Sequence, residues 1–266
     1  MRAASNSYKS NFLRRISLCW SAILLLASVS VSGGTLKGRE VSQLAPLPVG
    51  VTLPVQLGKT LRAGNTKPGT TFTATTTQRV PVSEETYLDR GATLRGKVVT
   101  SIAGDGTVEH PSVLVIRFTQ LSYRRQTVPI ATGALAVAGR LAIDETYWPV
   151  QATIDQFTNN RGNWTTRQVG GELVARSGWE GPVVDAGHAV GSADYYGVYM
   201  LPSETDEMQF PLAIGIFSTT AKGMYGYDRG TTLDSSEGTI TITSRKRNSA
   251  VVRAGEQMLL EVVDER

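Results

Sequence analysis

The sequence predicts an all-β protein: a barrel or sandwich of short antiparallel strands with a second β-rich half. Three observations carry this. Threonine-rich and β-branched runs recur along the chain, as in VLVIRFTQL at 113–121 and TITIT at 239–243. Turn pairs punctuate the runs at Gly64-Asn65, Pro68-Gly69, Arg90-Gly91 and Asp105-Gly106. No segment sustains an apolar period of 3.6, so long helices are not expected.

Taken in order, residues 1–33 read as a secretory signal peptide: a basic start with Arg14-Arg15, an apolar run over 16–31, then small residues. That run is shorter than the roughly 20 residues of a spanning helix, and no second long apolar run follows, so the mature chain is expected to have no membrane-spanning segment. Residues 34–45 read as a flexible lead. Strands are expected near 51–57, 70–82, 93–101, 113–121 and 128–138, which makes 46–140 a first β module, a barrel or sandwich by spacing. Asp105-Gly106 is the dipeptide of a tight type I′ hairpin. Residues 141–167 read as an irregular connection, with a strand near 150–157. The second β-rich region, 168–266, holds strands near 168–175, 195–201, 210–217, 238–244 and 251–263, and 178–192 reads as a polar, glycine-rich surface loop.

One short motif recurs. Leu47 to Leu53, Leu88 to Leu94 and Val252 to Met258 each place an apolar residue, two positions, a glycine, two positions and a second apolar residue at the opening of a strand. The glycines Gly50, Gly91 and Gly255 are expected to supply a backbone angle that other residues resist.

Residues 47–130 read LPVGVTLPVQL, PGTTFTATTTQRVPV, LDRGATLRGKVV and VLVIRFTQLSYRRQTVPI. This pattern resembles the β-barrel domain of TrbI-type proteins, which form part of the outer-membrane channel in conjugation and type IV secretion. Under the resemblance Gly50 and Gly91 fill the two turn glycines, and Phe118, Leu121 and Val128 match the final hairpin. It implies that the 46–140 module is a barrel, with a place in the cell envelope. The chain departs from that family in its signal-like start and in having no apolar helix after residue 31, so a working channel subunit is not implied. The remainder, with IFSTTAKG at 216–223, looks like uncharacterised exported bacterial proteins, a likeness that brings no activity.

The net charge of +4, from 27 basic and 23 acidic residues, belongs to the first 34 residues, which hold four bases and no acid. From residue 35 onward 23 bases face 23 acids, so nucleic acid is not the expected partner. Within that stretch 35–140 carries +7 and 141–266 carries −7. Opposed fields of this kind favour a protein partner or self-association.

The search for chemistry yields little. Cys19, the one cysteine, falls in the signal, and two histidines without thiolates do not make a zinc site. His188, Ser192 and Asp185 could be drawn as a triad, but no Gly-x-Ser-x-Gly surrounds Ser192. Gly58-Lys59-Thr60 and the stretch from Gly91 to Lys97 each lack part of a phosphate-binding loop. Thr219 to Lys222 replaces the serine of a Ser-x-x-Lys pair. The carboxylates Glu180, Asp185, Asp194, Glu204, Asp206 and Glu207 lie in a stretch without bases and rich in aromatic residues. Trp179, Tyr195, Tyr196 and Tyr199 are therefore the candidate glycan or partner contacts. No catalytic, cofactor-binding or metal residue is assigned. The expectation is an exported, non-enzymatic protein of the periplasm or outer envelope with a structural or assembly role through protein–protein contacts. The alternatives are a glycan- or peptidoglycan-binding module and, less favoured, a hydrolase.

Overall fold

Strict alternation builds the main sheet. In TFTATT at 71–76 every second residue is buried, and TLRGKVV at 93–99 repeats the pattern, because successive side chains of a strand point to opposite faces. The computed structural model describes residues 38–148, 151–152, 163–171, 173–177, 180–185, 187–203, 206–247 and 250–264. The signal expected at 1–33 lies outside them.

The first strands are β1 (Arg39–Glu40), β2 (Thr52–Leu57), β3 (Leu61–Arg62), β4 (Thr71–Thr76), β5 (Val80–Pro81), β6 (Thr86–Leu88), β7 (Thr93–Ile102), β8 (Ser112–Tyr123), β9 (Gln126–Pro129) and β10 (Thr132–Ala138). Helix α1 (Arg140–Tyr147) leads to β11 (Gln151–Ala152), β12 (Asn163–Arg167), β13 (Leu173–Ser177), β14 (Gly181–Asp185), β15 (His188–Asp194), β16 (Gly197–Met200) and β17 (Leu212–Ala213). The chain ends with β18 (Gly223–Tyr225), β19 (Thr231–Ser236), β20 (Thr239–Ser244), β21 (Val251–Val252) and β22 (Gln257–Val262).

Ten strands form one sheet in the order β18-β10-β22-β2-β4-β7-β8-β20-β19, with β9 on β8. The sheet curls until its ends meet and is nearly a closed barrel. At the seam Ser235 Oγ, on β19, accepts the Ala134 N–H at 2.8 Å and donates to the Ala134 carbonyl at 3.1 Å. One hydroxyl thus takes the place of a missing ladder pair. The interior is filled by Leu53, Val55, Leu94, Ile116, Leu121, Ile240, Met258 and Leu260, with Phe72 edge-on to Phe118 at 5.3 Å. The seven strands β11 to β17 make a second, antiparallel meander in sequence order.

The three repeated glycines do one job. Gly50, Gly91 and Gly255 have φ of 88°, 94° and 86°. The Gly50 N–H donates to the Val262 carbonyl while the Val262 N–H donates to the Val51 carbonyl. Gly91 and Ala92 make the same pair of bonds with Thr76, and Gly255 and Glu256 with Leu57. This is the G1 bulge, two residues opposite one with a left-handed glycine first. Each bulge opens a barrel strand and seats a buried residue next: Val51, Ala92 and Glu256. The bulges before β2 and β22 each hold the far end of the other strand.

Several sequence expectations are corrected. The lead expected to be flexible is built into the fold from residue 38: β1 pairs with β6 in parallel, Leu44 is buried with its N–H on Gln126 Oε1, and Glu40 meets Arg124. The connection at 141–167 holds α1, β11 and β12; 149–150 and 153–162 lie outside the described residues. The glycine-rich stretch at 178–192 forms most of the β14–β15 hairpin: Gly187 takes the positive φ of its turn, and Gly191 lets the Tyr199 carbonyl of β16 come close. Asp105-Gly106 does not make a two-residue turn. Asp105 instead accepts both the N–H and the hydroxyl of Thr107 at 2.8 and 2.6 Å, inside a longer loop; these bonds hold its carboxyl below the usual range. The run at 70–82 divides, since the chain leaves the barrel at Thr77 and β5 joins β6 in a separate sheet. The boundary at 140 marks where the chain departs to the second sheet. It later returns, and β18, β19, β20 and β22 complete the barrel, with 33–266 forming one unit.

Candidate functional site

The second sheet docks on the barrel through a short polar stretch that leaves β4. Gln78 is buried, and its side-chain amide acts as a piece of strand: Nε2 donates to the Val198 carbonyl at 2.9 Å and Oε1 accepts the Val198 N–H at 3.1 Å. A Cβ on Gly197 would lie 2.5 Å from that amide, so glycine is required there. Arg79 follows. Its guanidinium is sandwiched between the Tyr87 ring at 3.8 Å and the Tyr196 ring at 3.2 Å, with Asp89 at 3.8 Å from Nε. A buried guanidinium is held here mainly by two π faces. Thr52 adds a bond from its hydroxyl to the Ala213 carbonyl at 2.6 Å.

Beside this joint lies a cleft of about 700 Å³. Its walls come from Thr77 and Gln78 after β4, Asp89 and Arg90 before β7, Thr146 and Tyr147 at the end of α1, and residues 166–168 around the end of β12. The turn from Asp194 to Val198, Gly215 with Ile216, and Gln257 at the start of β22 complete it. Asp194 shapes the turn: its Oδ1 accepts the N–H of Tyr196 at 2.7 Å and of Gly197 at 3.0 Å. Tyr195 and Tyr196 therefore sit at the tip of the β15–β16 hairpin. Tyr195 is 84% exposed and Tyr147 66% exposed. Gln257 is 4% exposed, and its Oε1 has no hydrogen-bond partner among the described residues. A buried amide oxygen without a partner carries a folding cost.

The sequence candidates separate. Tyr195 and Tyr196 reach the cleft. Tyr199 is 1% exposed and is removed from any surface contact: on β16 it points into the core. Burial, then the nearby Asp194, pushes its hydroxyl well above the usual tyrosine range. Trp179 and Glu204 lie outside the described residues. Of the carboxylate candidates whose side chains are described, Asp194 alone lines the cleft, where it is engaged by the turn; Asp206 holds the Ser203 N–H at 2.7 Å and Glu180 is exposed. His188 and Ser192 share strand β15 four residues apart, a span of about 13 Å, so they do not form a nucleophile–base pair. Of the stretch from Gly91 to Lys97, Gly91 and Ala92 form a bulge and residues 93–97 run extended along β7, which is not the wrapped conformation of a phosphate-binding loop. Among the described residues no cluster of three His, Cys, Asp or Glu side chains could hold a metal, and no helix is long and apolar enough to cross a membrane. Sequence reasoning missed Arg79, Tyr147 and Gln257. Arg79 carried one signal, a charge inside an otherwise uncharged strand run; the others carried none.

No protein family, curated protein or solved structure matches the chain.

Proposed function

We propose that this is an exported, non-enzymatic protein of the cell envelope that binds a cell-wall glycan in the cleft between barrel and second sheet. The observation that carries the reading is the set of side chains lining the cleft: the exposed rings of Tyr147 and Tyr195, with the amide of Gln257 in the same wall. Aromatic faces suit the apolar faces of sugar rings, and an amide suits a sugar hydroxyl. Soluble peptidoglycan fragments titrated into the protein should bind, and Tyr195→Ala should weaken binding about tenfold, the ~1.4 kcal/mol of one good aromatic contact. Tyr195 stands at an exposed hairpin tip, so the variant keeps its fold. Equal affinity of the variant, or no binding by the wild type, refutes the proposal, and release of reducing ends refutes its non-enzymatic part.

A second reading, assembly through protein–protein contacts, is favoured by the resemblance of residues 47–130 to TrbI-type barrels and by the +7 and −7 halves. It expects salt-sensitive association in sedimentation. A chain that stays monomeric at low salt and retains no envelope component overturns it.

A further inference from the structure

The basic excess of residues 35–140 has a place in the fold. On the outer face of the barrel, Thr73 is paired across strands with Arg95, Thr71 with Lys97, and Lys97 with Arg117. Arg95, Lys97 and Arg117 are all exposed, and none makes an ion pair among the described residues. Strands β4, β7, β8 and β20 contain no acidic residue at all.

This arrangement opposes the needs of folding. Lys97 and Arg117 are directly opposite, and like charges in that position destabilise a sheet. Neighbouring strands lie about 5 Å apart and same-face residues about 7 Å apart along a strand. Three cations therefore crowd one small patch, with the hydroxyls of Thr71 and Thr73 beside it on β4. The sheet's acids, Asp234 on β19 and Glu261 on β22, lie on other strands, and Arg117 donates to the Glu237 carbonyl at 3.2 Å; with no carboxylate partner among the described residues, the patch is complementary to an anion supplied from outside.

We propose that this face binds a linear polyanion, a soluble polymer of phosphate or phosphodiester groups, laid along β7. Each of the three cations meets one anionic group, and the threonine hydroxyls donate to the remaining oxygens. A membrane is the poorer partner. Val99 on β7 is the exposed apolar residue beside the patch, and the next ones, Ile102 and Val108, share their hairpin with Asp105 and Glu109, which an anionic bilayer repels.

The test uses long-chain inorganic polyphosphate as the probe, titrated at increasing salt. The wild type should bind with a log–log salt slope of about −2, as expected for three neutralised charges on a flexible polyanion. Arg95→Gln/Lys97→Gln/Arg117→Gln should weaken binding at least tenfold and flatten the slope. Lys59→Gln/Arg140→Gln/Arg229→Gln removes the same charge from elsewhere on the surface and should leave affinity within twofold. The patch variant should melt at or above the wild-type temperature, because repulsion is relieved. Equal loss in the two variants, no binding at 50 mM salt, a lowered melting temperature in the patch variant, or tighter binding to phosphatidylglycerol vesicles than to polyphosphate would each overturn the proposal.

Discussion

Two tyrosines are buried with opposite consequences. Tyr227 donates to Glu256 Oε2 at 2.5 Å, whereas the Tyr199 hydroxyl has no partner among the described residues. Burial first, and then Glu256 beside one and Asp194 beside the other, raises both hydroxyls far above the usual tyrosine range. Removing the bonded hydroxyl takes a charge-assisted bond from Glu256, which keeps the Arg253 N–H and guanidinium, and removing the partnerless one relieves a buried polar group. Tyr227→Phe should therefore cost about 2 kcal/mol at pH 7, and Tyr199→Phe should gain about 1 kcal/mol. Because the folded pKa values are raised, the stability they contribute is complete below about pH 10 and is lost as pH rises, the unfolded chain releasing its protons first. Each tyrosine adds a slope of about 1.4 kcal/mol per pH unit above that point. Urea midpoints between pH 9 and 11 check this: each variant should lose its share of the slope, and an unchanged slope would show that the hydroxyl ionises freely in the fold.

At the scale of elements, the G1 bulges separate backbone demands from packing demands. Gly91 and Gly255 need positive φ, yet nothing lies within 4 Å of an added Cβ. Gly96, inside β7, is the reverse case: its Cβ would lie 2.5 Å from Phe72 Cζ and 2.8 Å from the Arg117 carbonyl oxygen. Gly91→Ala and Gly255→Ala should each cost about 1–2 kcal/mol, the strain of a left-handed L-residue, and Gly96→Ala should cost more than either. Urea unfolding with an unchanged m-value measures the order, and a Gly96→Ala protein as stable as Gly91→Ala would refute it. The same elements show what was legible in the sequence. The alternation of β4, β7 and β20 and the three glycine turns could be read directly, because period and turn chemistry are local. The β14–β15 hairpin could not, since its small residues hide the period. The cleft was half legible: Tyr195 and Tyr196 announce themselves in a run of aromatics, but Gln257 acquires meaning only when β22 docks between β2 and β10.

For the whole molecule the consequential fact is that the barrel is completed by strands that return after a detour through the second sheet. The chain must bring β19 and β20 back across the sequence to β8 and to the seam with β10, contacts of the non-local kind that form late in folding. The seam has weak closure: β18 covers β10 only over Ala136–Ala138 in register with residues 223–225, and Ser235 bridges the other end. Ser235→Ala removes both bonds to Ala134 and exposes an unpaired strand edge, the feature a barrel exists to eliminate. The variant should lose about 1 kcal/mol of stability. Its diagnostic signature is local: the Ala134 amide should exchange with solvent markedly faster, while amides of β4 and β7 on the far side keep their protection. Unaltered exchange at Ala134 would mean that the barrel holds its seam without the hydroxyl. A uniform rise across all strands would mean instead that closure and global folding are one event, with Ser235 inside the cooperative unit rather than at its edge.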